Sequence, residues 1–123
     1  MSKASFSIDV EPARELVRVR MSGFFSAADV DTFQWALQKA HRQLDCARRG
    51  GPLTINDVGG MAIQSQDVAA RWGEFLVDPA HRSRRLAFVV SSALARMQLK
   101  RLIGSREAEV FTDPVEAEQW LFT

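Results

Sequence analysis

The sequence predicts an α/β fold: a mixed sheet of about five strands with about four helices, in the order β-β-α-β-α-β-α-β-α. Three observations carry this. Leu86-Ala87-Phe88-Val89-Val90 is apolar at every position and ends at Ser91-Ser92, the pattern of a strand covered by helices on both faces in a parallel sheet. It is followed at once by helical spacing over Ala93 to Ile103, a short strand at Glu109-Val110-Phe111 and a closing helix over Asp113 to Leu121, which is the rhythm of parallel strands joined by helices. The N-terminal part reads differently. Phe6, Ile8 and Val10 alternate with Ser5, Ser7 and Asp9, and Val17, Val19 and Met21 alternate with Arg18 and Arg20. Strands with one polar face belong toward a sheet edge, with that face open or only partly covered.

The short linker Glu11 to Glu15, with Pro12, suits an antiparallel pair, and Gly23 ends the second strand. Ser26 is placed to cap a helix, with Asp29 and Asp31 in its first turn. Val30, Phe33, Leu37, Ala40 and Leu44 follow at helical spacing, so this helix is expected to run to about Cys46. Arg48 and Arg49 suit its negative end, and Gly50-Gly51-Pro52 stops it. Leu53-Thr54-Ile55-Asn56 reads as the third strand and Asp57-Val58-Gly59-Gly60 as the loop after it. The second helix starts near Ser65, with Val68, Ala69, Trp72, Phe75 and Leu76 as its apolar stripe and Pro79 beyond its end. Leu94, Met97, Leu99, Leu102 and Ile103 dominate the third helix, which Gly104 closes. Asp113-Pro114-Val115-Glu116 resembles a capping box with proline at the first helical position. Val115, Trp120 and Leu121 are expected to anchor the last helix.

The 123 residues fit one domain spanning 1–123. A formal net charge of +1 argues against nonspecific nucleic-acid binding by the whole molecule. Cys46 is the single cysteine, so no intrachain disulfide can form and a reducing cytoplasm fits. No signal-peptide pattern opens the chain, and no run approaches the roughly 20 apolar residues that span a bilayer.

No catalytic set is visible. His41 and His81 lie in different segments, and Ser91, although between a strand and a helix, lacks the Gly-x-Ser-x-Gly context of a nucleophile elbow. One cysteine and two histidines at unrelated spacing make no zinc site, Asp57 lacks the alternating acids of a calcium loop, and Gly59-Gly60 is not a phosphate loop. No metal and no cofactor is therefore expected. An anion site has better grounds: Ser91 and Ser92 stand at a helix N-terminus beyond a strand's carboxyl end, with Arg96 one turn further on. The run from Arg82 to Arg106 carries seven Lys or Arg and no acid. The competing reading is a solvated face balanced by Glu107, Glu109, Asp113, Glu116 and Glu118. Trp35 lies off its helix's apolar stripe and either packs sideways or marks an interaction surface.

The chain resembles the STAS superfamily of anti-sigma-factor-antagonist-like domains, and more closely its SpoIIAA-like branch. The residues that carry the resemblance are Leu86 to Met97, Glu109-Val110-Phe111-Thr112-Asp113, Glu116-Ala117 and Trp120-Leu121, with the Gly23-Phe24 step before a long helix. The resemblance implies a mixed sheet stacked with helices, no enzymatic activity, and regulation by binding a partner protein. In regulatory members a serine at the start of the second helix is phosphorylated. Here the corresponding Asp-Ser-Ser-Gly falls on Gln64-Ser65-Gln66-Asp67: Ser65 is kept, Gln66 stands at the usual acceptor, and Asp67 would repel a phosphate.

Two functions follow as expectations. The first is a non-enzymatic cytoplasmic regulatory domain that docks a protein or small ligand at Asp57, Gly60, Ser65 and Gln66. The second is a carrier or sensor of a lipid or other amphipathic anion, its head group near Ser91, Ser92 and Arg96 and its tail against Trp72, Phe75 and Met97. The open edge near Phe6 to Val10 is a candidate for pairing two chains into a homodimer, with Trp35 a candidate contact.

Overall fold

In a computed structural model, the protein is described over residues 3–44, 50–62, 64–78, 82–103 and 107–123, with the side chains of Leu76, Val77 and Leu102 outside that description. Five strands, β1 (Ser5–Glu11), β2 (Leu16–Gly23), β3 (Leu53–Met61), β4 (Arg85–Val89) and β5 (Ala108–Phe111), form one sheet in the order β1-β2-β3-β4-β5. β1 and β2 are antiparallel, and β2 to β5 are mutually parallel. Four helices follow the parallel strands: α1 (Ala27–Arg42), α2 (Gln66–Val77), α3 (Ala93–Ile103) and α4 (Pro114–Leu121). The observed order is the one the sequence predicts.

The topology fixes where the helices sit. The crossovers β2-α1-β3, β3-α2-β4 and β4-α3-β5 step in one direction, and right-handed crossovers stepping one way place their helices on one face. Val17, Val19 and Met21 of β2 accordingly pack with Val30, Phe33 and Leu37 of α1 and Val68 of α2. Phe88 and Val90 pack with Val110 and, on α3, Ile103, Ala95 and Leu99. Val58 touches both clusters. The opposite face of β3 and β4, with Leu53, Ile55, Ala87 and Val89, is covered by Ala117 and Leu121 of α4. β4 thus lies between helices on both sides, as its unbroken apolar run requires.

The polar faces of β1 and β2 stay open where α4 does not reach. Ser5, Ser7 and Asp9 lie opposite Ser22, Arg20 and Arg18. At the hairpin, a single 3-10 turn at Pro12–Arg14 leads into Glu15 with φ 53.

Several element-level expectations are corrected. α1 ends at Arg42, four residues before Cys46, which lies outside the described residues together with Arg48 and Arg49. Leu44 still packs against the first cluster. β3 does not stop at Asn56: Asp57 to Met61 continue as strand because β2 provides a partner through Ser22↔Gly60 and Gly23↔Met61 after a register shift. On α3 the inward stripe is the buried Ile103 with the half-buried Ala95 and Leu99, while Leu94 and Met97 are 64% and 58% exposed. On α4 the buried pair is Ala117 and Leu121, one turn apart, and Val115 in the first turn is 62% exposed. Trp120 is half-buried against Phe111.

Candidate functional site

All four parallel strands end at the same end of the sheet, and each is followed by a helix. The N-termini of α1 to α4 therefore open on one rim, each with a side-chain cap. Ser26 Oγ accepts from Asp29 N–H while the Asp29 carboxylate accepts from Ser26 N–H. Those bonds from Ser26, backbone first and hydroxyl second, hold the Asp29 carboxyl below its ordinary value. Ser65 Oγ accepts from Val68 N–H at 3.2 Å, Ser92 Oγ from Ala95 N–H at 3.1 Å, and Asp113 Oδ1 from Val115 N–H at 2.9 Å. Each cap removes one of the four unpaired donors of a helix start and leaves others for a ligand.

The protruding end of β3 lies near the first residue of the β4–α3 turn. A Cβ on Gly59 would stand 3.7 Å from the Ser91 Cβ, so the main chain of the Asp57–Gly60 segment lies against the start of the β4–α3 turn. Gly60 sits opposite Ser22, and a Cβ there would come within 2.9 Å of the Ser22 Cβ. Gly59 N–H donates to Asp57 Oδ1 at 3.0 Å. The other Asp57 oxygen faces Arg20 Nε at 4.0 Å.

Gln64, which sequence reasoning passed over as a motif remnant, holds the chain between β3 and α2. Its Oε1 accepts from Phe25 N–H at 2.9 Å, and its Nε2 donates to Gly23 O at 3.1 Å and to Ala62 O. One amide thereby ties the α2 entry to the end of β2. The sequence signal is only a polar residue just before a cap. Ser65 and Gln66, directly after it, are exposed, as are Ser91 and Ser92.

The remaining predicted residues separate. Arg96 Nε donates to Val110 O at 2.9 Å on the outer side of β5, which directs it along α3 toward the sheet edge. Trp72 and Phe75 pack together with Phe33, the three rings meeting at 5.4 to 6.0 Å, whereas Met97 is exposed on α3 and absent from that cluster. Trp72 Nε1 and Asn56 Oδ1 are buried without a hydrogen-bond partner. Trp35 is 59% exposed, with Lys39 Nζ 4.4 Å from its ring centre.

The basic stretch does not form one patch. Arg84 pairs with Glu15 at 3.1 Å, Arg85 with Glu107 at 3.7 Å and Lys100 with Glu109 at 3.3 Å. Arg85 also lies 4.5 Å from the Trp120 ring. The other concentration of charge is on the open face of β1 and β2. Arg18 donates to both Glu11 and Glu118, so it ties the first hairpin to α4, and Arg14 adds a bond to Glu11 at 3.2 Å. Beside it is an open concavity of about 210 Å³, lined by Ser7, Asp9, Arg18, Arg20 and Asp57 and closed by Pro114 at the start of α4. Among the described residues, no group of three or more His, Cys, Asp or Glu is placed to hold a metal ion, and no helix is long and apolar enough to cross a membrane. His81 lies outside the described residues.

No family model matches this sequence, and no curated protein is matched by it. Among solved structures, the chain is similar to an uncharacterised protein of the DUF3478 family with a SpoIIAA-like fold from Shewanella loihica PV-4. The TM-score is 0.76 at 14% identity, over 98% of this chain and 97% of that one. The SpoIIAA-like fold implied by the sequence resemblance is the fold of this protein.

Proposed function

We propose that this SpoIIAA-like domain is a non-enzymatic regulatory module that docks a partner protein at the rim formed by Asp57 to Gly60, Ser65, Gln66 and Ser91. The observation that carries the reading is the approach of Gly59 to Ser91, close enough that a Cβ on Gly59 would stand 3.7 Å from the Ser91 Cβ. It sets the end of β3, which leads into α2, beside the turn that starts α3, and this supports one surface built from both. Backbone donors at two helix starts and the exposed side chains of Ser65, Gln66 and Ser91 give that surface hydrogen-bonding capacity. The strand order supports binding over catalysis. It runs without reversal from β1 to β5, so the sheet lacks the crevice that opens where crossovers change direction in doubly wound enzymes. A reducing, cytoplasmic setting suits the single cysteine.

The test is in-cell photo-crosslinking, with a photoreactive residue placed in turn at Gln66, Ser91 and, as a control at the far end of α4, Gln119. Capture of the same protein from Gln66 and Ser91 but not from Gln119 is the expected outcome. Different captured proteins from Gln66 and Ser91, or equal capture from Gln119, contradicts a common docking rim.

A second reading, a carrier or sensor of an amphipathic anion, is favoured by the exposed Leu94 and Met97 beside the Ser91-Ser92 turn, three residues apart on one side of α3. It is supported too by the unpaired Trp72 Nε1 and Asn56 Oδ1 inside the three-helix face. Native mass spectrometry of freshly purified protein, followed by organic extraction, separates the two. A co-purifying lipid supports the carrier, and a clean ligand-free mass counts against it.

A further inference from the structure

The two edges of the sheet are finished differently. On β5, the Glu107 and Phe111 carbonyls accept from Leu86 and Val90, so the Val110 main chain faces outward. Both of its polar groups are taken up by the chain itself. Val110 O accepts from Arg96 Nε at 2.9 Å, and Val110 N–H donates to Glu109 Oε1 at 3.0 Å, a carboxylate that Lys100 holds at 3.3 Å. Capping of this kind blocks strand addition. Among the described residues, no side-chain hydrogen bond reaches the main chain of β1, although β1 is the longer edge at seven residues against four.

β1 is also complementary to itself. We propose that it is a self-association edge, to which a second copy of this chain adds its own β1, antiparallel, about a two-fold axis through Ser7. In that register Ser5 stands opposite Asp9, Phe6 opposite Ile8, and Ser7 opposite its own symmetry mate, while Lys3, which precedes β1 and bridges Phe24, comes level with Glu11. At each end Lys3 comes level with Glu11, whose carboxylate Arg18 and Arg14 already hold, and each Asp9 faces a hydroxyl. Moving the axis to Asp9 sets Asp9 on Asp9 and Ser7 on Glu11, and moving it to Ile8 takes Lys3 out of the pairing. A two-fold normal to the sheet keeps like faces together. The half-buried Phe6, Ile8 and Val10 on the α1 side then extend one apolar row across both copies. The two five-stranded sheets become continuous, and the exposed main chain of both edges is paired.

Sedimentation equilibrium of the purified chain up to millimolar concentration is expected to show monomer and dimer. A monomer throughout overturns the proposal. Lys3→Glu, which places like charges at both ends of the pairing, should weaken the dimer by about fivefold or more, and an unchanged dimer overturns the register. Position is read separately in a Cys46→Ser background. Residues on the axis lie about 4.5 to 5.5 Å apart, within disulfide reach, so oxidised Ser7→Cys should be captured as a covalent dimer. Ser5→Cys, roughly 13 Å from its mate, should not. Cross-linking from Ser5→Cys without Ser7→Cys, or a dimer that cross-links from neither, assigns the contact to another surface or partner and overturns the proposal.

Discussion

Gly23 has a left-handed φ of 83, and a Cβ on it would stand 2.2 Å from the Lys3 carbonyl oxygen. Neither strain is relieved by moving a flexible side chain, since the obstacle is main chain. Gly23→Ala should lower stability by about 2 kcal/mol or more in urea unfolding, and a loss under about 0.5 kcal/mol would show that the close approach is not kept in solution. Gln64 makes three hydrogen bonds to main chain, and truncating it leaves part-buried groups unpaired. Gln64→Ala should cost about 1–3 kcal/mol and speed hydrogen exchange at Phe25 N–H, while exchange in β4 stays as it was. Such residues are poorly legible in a sequence because their work depends on distant main chain. The same holds for which apolar residues are buried. Leu94, Met97 and Val115 have the right character and roughly the right spacing. Smaller neighbours, Ala95 and Ala117, lie on the stripe that faces the sheet because they admit closer packing.

At the scale of elements, charge joins what the apolar clusters do not. Arg18 on β2 bonds Glu11 on β1 and Glu118 on α4. The Glu11 carboxyl is held below its ordinary value chiefly by the Arg18 hydrogen bond, with Arg14 adding to it and burial opposing it. A carboxyl depressed in the folded state contributes stability above the ordinary carboxylate range and loses it as pH falls toward the lowered value. Glu11→Gln should therefore flatten the fall in Tm between about pH 5 and pH 3, and an unchanged slope would remove this junction from the acid response. Glu109 is lowered in the same sense, first by the Val110 N–H and then, against burial, by Lys100. Arg96 belongs to that edge. Arg96→Ala should cost about 1 kcal/mol with no ligand present by uncovering Val110 O, and no measurable loss would free Arg96 for the anion role that its position in the sequence suggested. The β3 extension shows why element ends were hard to read. Asp57-Val58-Gly59-Gly60 has the composition of a turn, yet β2 runs alongside it and Gly60 lets Ser22 approach.

At the scale of the molecule, the fold was largely legible and the site was not. An apolar strand, two amphipathic strands and four helical spacings mark the element order, the antiparallel first pair and the covered fourth strand. The same topology gathers four helix starts on one rim. What the sequence does not encode locally is that Gly59 approaches Ser91, since one lies in the β3 extension and the other in the β4–α3 turn, and they come close because β3 outruns β4. Hydrogen–deuterium exchange of the domain, free and bound to the protein captured from Gln66 and Ser91, tests the common rim most directly. The account predicts slowed exchange in two separate peptides together, Asp57 to Gln66 and Ser91 to Arg96, with the main chain of α4 unchanged. Protection of only one of those peptides, or protection centred on α4, would contradict it.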